Sequence, residues 1–151
     1  MLEKSITQCP EGLWVDSAFQ NPFWHIAYHT IFYVHLYLQP AEEDFQPWEK
    51  HREEYQFMGR LPWPPHDPPK IEGSYSKAEV LEYLAWLKTQ IAPTVETLDL
   101  SGPSGFSWLP FNKLELQFYT IRHLQQHAGE LSERLYVQAG LDVEWVGKGG
   151  N

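Results

Sequence analysis

The chain has 151 residues, the size of one domain with a real core. Hydrophobic residues make up 42% and aromatics 15%, a composition that excludes a disordered chain. Eleven Lys and Arg against twenty Asp and Glu give a net charge of −9, which speaks against nucleic acid as a partner. The single cysteine, Cys9, excludes an intramolecular disulfide and suits a reducing compartment such as the cytoplasm. The N-terminal stretch has no apolar run after a basic one, so it does not read as a secretory signal. The most apolar stretch, Ile31 to Leu38, is interrupted by His35 and is far short of the roughly 20 residues that span a bilayer.

In chain order, Met1 to Gln8 reads as one or two turns of helix, stopped at Cys9-Pro10-Glu11-Gly12. Asn21 before Pro22 is a start signal, with Asn as cap and Pro at the first helical position. A second helix is expected from about Pro22 to Leu38. Its circumference is apolar nearly all round, which implies burial on several sides and suggests a homodimer covering one face. About 37 residues then run from Gln39 to Tyr75, through an acidic patch, a charged run and the proline-rich stretch Leu61 to Pro69. This is a long crossover, with room for a short helix within Pro47 to Phe57. Ser76 and Glu79 form a capping box that opens a third helix, expected to end near Leu98 and to kink before Pro93. After a loop rich in Gly and Pro, Asn112 and Glu115 repeat the cap signal. Leu114, Phe118, Ile121, Leu124, Leu131 and Leu135 carry a fourth helix to Gly140, followed by a short tail. An all-α bundle spanning residues 1–151 as one domain is the expected fold class.

The chemistry lies in the histidines. Of seven, four form two pairs at i, i+4 spacing on expected helices, His25/His29 and His123/His127, where chance placement would give about 0.3 such pairs. Residues four apart share a helix face, so two imidazoles can converge on one ion, and a third from another helix would complete a site. The alternative is a metal-free bundle, acting as a ligand-binding or assembly module, whose histidines bond to each other or to Glu130. His35 reads as an ordinary core histidine, and His51 and His66, in the crossover, as solvated. Trp24, Trp86 and Trp108 read as filling the core or loop contacts rather than binding an aromatic ligand.

Asn21-Pro22-Phe23-Trp24-His25-Ile26-Ala27-Tyr28-His29, with Arg122-His123-Leu124-Gln125-Gln126-His127-Ala128-Gly129-Glu130-Leu131, resembles the DinB-like, damage-inducible family. That family is similar to bacillithiol transferases and mycothiol-dependent maleylpyruvate isomerases. The resemblance implies a four-helix bundle in up, down, down, up order, with the long crossover between its second and third helices. It also implies a divalent metal held by His29, His123 and His127. Glu130 replaces the family's frequent Gln; it is either a base, a group that orients a His ring, or a solvated carboxylate. His25, one turn before His29, is a fourth ligand, an orienting group, a substrate-facing base or a plain packing residue. Three neutral imidazoles would favour Zn²⁺ or Ni²⁺ over oxygen-seeking cations. The implied activity is that of a metal-dependent enzyme, a thiol-dependent transferase or a hydrolase, acting on a small molecule. A low-molecular-weight thiol would be the cosubstrate, with Cys9 a bystander.

Overall fold

The computed structural model describes residues 1–147. It is mostly helical, and no strand occurs among the described residues beyond one isolated bridge between Pro103 and Asn112. The helices are α1 (Leu2–Gln8), α2 (Glu11–Trp14), α3 (Phe23–Leu38), α4 (Lys77–Val95) and α5 (Lys113–Ala139).

Local signals explain most of these boundaries. Both capping boxes form: Ser76 Oγ accepts from the Glu79 amide, and Asn112 Oδ1 accepts from the Glu115 amide, with each Glu reaching back to its cap. Gly140 closes α5 at φ +64, in the left-handed region that favours glycine. Other expectations are corrected. Asn21 does not cap α3; Pro22 occupies that position, and its carbonyl accepts from the His25 and Ile26 amides. The expected break after Cys9 is followed at once by α2, because Pro10 at its N-cap position leaves its own carbonyl free to accept from Leu13 and Trp14. No α-helix forms within Pro47 to Phe57, where Glu54 at φ +67 interrupts any helical run. The crossover instead holds one 3-10 turn, Glu42–Asp44. Helix α4 carries Pro93 within its last turn and ends at Val95, short of Leu98.

Helix α3 is the centre of the molecule. It packs against α5 and α4, and α1 bridges those two. Thirteen of its sixteen residues are buried, Phe23, Ala27 and Tyr28 completely. Its apolar circumference is therefore covered within the chain, so burying this helix does not require a second copy. Helix α5 meets the core through Leu116, Thr120, His127, Ala128, Leu131 and Leu135, whereas Leu114, Phe118 and Ile121 face outward at 44, 60 and 59% exposure. The leucine stripe read from the sequence is right for the second half of α5 and one face off for the first half. Trp24 is buried; Trp86 and Trp108, 41 and 48% exposed, lie outside the core, and Trp108 makes a loop contact with Phe106. Of the expected tail, Val143 is buried and Glu144 pairs with Lys4 at 2.9 Å; residues 148–151 lie outside the described residues.

The far end of α3 is anchored by a buried lysine. Lys113, 3% exposed, donates from Nζ to the carbonyls of Gln39 (3.0 Å), Pro40 (2.7 Å) and Ser104. Beside it Gly105, at φ +83, lies so close to Pro40 that an added Cβ would stand 2.1 Å from the Pro40 carbonyl oxygen. The start of α5 and the end of α3 are thus held together by backbone groups that few other side chains could satisfy.

Candidate metal centre

The middle of α3 faces the middle of α5, and there three imidazoles meet. One ring nitrogen from each of His29, His123 and His127 lies within 4.8 Å of the other two. The Nε2 atoms of His29 and His123 are 3.0 Å apart. Two nitrogens on a tetrahedral Zn²⁺ would be about 3.3 Å apart, given Zn–N bonds of about 2.0 Å, so the cluster is near the dimensions of such a site.

Two rings are oriented from behind. His29 Nδ1 donates to the Gln56 carbonyl at 2.6 Å, which leaves the lone pair on Nε2, the atom facing His123. His127 Nδ1 donates to Glu130 Oε2 at 3.0 Å, and the other oxygen of Glu130 accepts from Arg134 at 2.9 Å. A carboxylate or carbonyl behind a histidine is the usual support of a metal ligand. The third ring has no such support: His123 Nδ1 is buried and without a partner. Burial, with the neighbouring imidazoles, pulls the pKa of His29 to about 3 and that of His123 to about 4, so both are neutral with lone pairs at pH 7. The donor set fits a nitrogen-seeking divalent ion.

His25 does not join the cluster. Its ring is buried, stacks on Trp24 and donates from Nε2 to the Tyr55 carbonyl at 2.9 Å. The i, i+4 pair on α3 therefore clamps two consecutive carbonyls of the crossover, those of Tyr55 and Gln56, and only His29 continues into the cluster. Glu130 sits behind His127, held by Arg134. Cys9 is buried, and its thiol is pushed up to about 12 by that burial, which makes it inert.

Residues that the sequence did not single out complete the surroundings. A cavity of about 930 Å³ opens onto His29 and His123, walled by α3, the crossover, Trp108 and Tyr119. His51, expected in solvent, forms part of this wall and hydrogen-bonds the buried Tyr28 hydroxyl at 2.6 Å. His66 is exposed, as expected, and His35 is buried against the Tyr83 hydroxyl at 2.8 Å. No sequence spacing pointed to His51, because its partner is 23 residues away. No helix of the described residues is long and apolar enough to cross a membrane. Comparison with family models, curated proteins and solved structures returned no match.

Proposed function

We propose that the chain is a metal-dependent enzyme whose centre is His29, His123 and His127, in a four-helix bundle of DinB-like up, down, down, up order formed by α1, α3, α4 and α5. The observation that carries this reading is the convergence of the three ring nitrogens within 4.8 Å, with two of the rings locked in the required tautomer. A bound Zn²⁺ or Ni²⁺ would supply a Lewis acid with an open position, able to lower the pKa of water or of a thiol. The chain's own residues do the rest. The Gln56 carbonyl fixes the His29 ring, and the Arg134-Glu130 pair fixes His127. The largely aromatic cavity beside them receives a small-molecule substrate. Thiol-dependent transfer with a low-molecular-weight thiol cosubstrate, or hydrolysis, is the reaction class proposed, in a cytoplasmic setting. With Cys9 buried and its thiol held protonated, the thiol would come from the cosubstrate. The test is metal analysis of the purified chain, with about one equivalent expected and its loss in His127→Ala.

One observation favours a second reading. At 3.0 Å the His29 and His123 rings can share a proton directly, as in a metal-free ligand-binding or assembly module. In that case chelators change neither the melting temperature nor ligand affinity.

The homodimer proposal moves to another face. Leu114, Phe118, Ile121 and Tyr136 are exposed along the outside of α5, with uncharged Gln125 and Gly129 between them. Two copies of a chain with net charge −9 can meet there without opposing like charges along that stripe. Phe118→Glu should then halve the mass seen by light scattering, and a wild-type monomer would refute the proposal.

A further inference from the structure

The large cavity has a composition of its own. Its wall is built largely of rings from four segments of the chain, among them Phe32 and Tyr33 of α3, Phe57 and Trp63 of the crossover, Trp108 and Tyr119. Among the described residues its charged linings are Glu42 and Arg60, and the Arg60 guanidinium donates to the His66 carbonyl at 3.0 Å. Before any ion binds at His29 and His123, such a wall offers stacking faces and no net charge, which suits a flat, uncharged aromatic ligand better than a sugar-like one. Two of these rings are costly as they stand: Trp63 and Trp108 are 49 and 48% exposed, with large apolar faces in water at the cavity. A ligand seated against these two lining rings would cover apolar surface that is now in water.

His51 gives this cavity a polar point. The Tyr28 hydroxyl, buried among Tyr75 and Tyr83, is hydrogen-bonded to His51 Nδ1 at 2.6 Å, a bond in which either group can donate. With the hydroxyl as the donor, the ring is the tautomer with its proton on Nε2. Among the described residues Nε2 has no hydrogen-bond partner, and it is not buried, so it is open to a ligand in the cavity whose wall His51 forms.

We propose that this cavity binds an uncharged aromatic compound bearing a hydrogen-bond acceptor oxygen, with its rings against the lining that includes Trp63 and Trp108 and the oxygen on His51 Nε2–H. The proposal rests on the metal-centre reading only for which end of the ligand reacts; binding itself does not require the ion. His51 is a positioning and specificity residue, separate from the three clustered imidazoles.

The test is equilibrium dialysis with two probes of matched shape, 2-acetonaphthone, which carries a carbonyl, and 2-ethylnaphthalene, which does not. It is run on the full chain with and without added Zn²⁺. The expected result is saturable binding of about one acetonaphthone per chain, and about tenfold weaker binding of ethylnaphthalene, the effect of one hydrogen bond. His51→Leu should bring acetonaphthone down to the level of ethylnaphthalene and leave the latter unchanged, and His51→Gln, which keeps a donor, should restore part of the difference. Trp63→Ala and Trp108→Ala, at half-exposed positions, should weaken both probes. Absence of saturable binding, equal weakening of both probes by His51→Leu, or indifference to both Trp variants would each overturn the proposal. Should the chain bind the probes as expected yet bind no Zn²⁺, the metal-centre reading falls and this one stands; Zn²⁺ binding without probe binding gives the reverse.

Discussion

Replacing Lys113 by Met keeps the length and apolar stem of the side chain and removes only its charge and three donors. In the folded chain those donors satisfy the carbonyls of Gln39, Pro40 and Ser104, at a residue 3% exposed. A hydrogen bond from a charged group contributes about 1.5–3 kcal/mol, and each buried carbonyl left bare costs about 1–3 kcal/mol. Part of this is recovered because a buried ammonium no longer has to leave water, so the net loss is about 4 kcal/mol. For a domain of this size that corresponds to a fall in Tm of about 10 °C. Urea unfolding followed by tryptophan fluorescence should show a lower midpoint at unchanged slope, since the surface exposed on unfolding is the same. A loss under about 1 kcal/mol would refute the claim that this ammonium ties the end of α3 to the start of α5. Because those two helices deliver His29 and the His123/His127 pair, the variant should also bind metal more weakly.

Three further outcomes follow from the same geometry. Gly105→Ala, which sets a methyl 2.1 Å from the Pro40 oxygen at a φ of +83, should destabilise by about 3 kcal/mol or more in the same assay. Glu130→Gln keeps the size of the side chain but loses the carboxylate behind His127, and should lower metal affinity about 10- to 100-fold by competition with a chromophoric chelator. Burial pulls the pKa of His35 from 6.5 to about 4, so between those values the unfolded chain binds the proton first. The stability this group contributes is present above pH 6.5 and is lost as pH falls toward 4, on the order of 3 kcal/mol in all. His35→Gln should remove that share of the pH dependence in unfolding curves taken at pH 7 and pH 4.5.

The sequence made the long helices legible because their signals are local. Ser76 with Glu79, Asn112 with Glu115, and Gly140 are all read within one turn of the helix ends they set. What it concealed depends on contacts made at a distance. On α5 the buried positions of the first half are Lys113, Leu116 and Thr120, polar at two of three places. A stripe drawn through Leu114, Phe118 and Ile121 therefore follows the wrong face, and the departure falls where the helix turns toward the site. The same holds for the histidines. Spacing marked His25 and His29 alike, but only the tertiary placement of Tyr55 and Gln56 separates the one that clamps the crossover from the one that enters the cluster. His51 and Lys113 lay outside any motif, since their partners come from distant segments.

The most direct measurement is elemental analysis of the untreated chain, repeated after Zn²⁺ titration into protein stripped by chelator. The account predicts about one Zn²⁺ or Ni²⁺ per chain in wild type, and a site lost in His127→Ala while the helical circular dichroism is kept. A wild-type chain that carries no metal and takes up none on titration would contradict it.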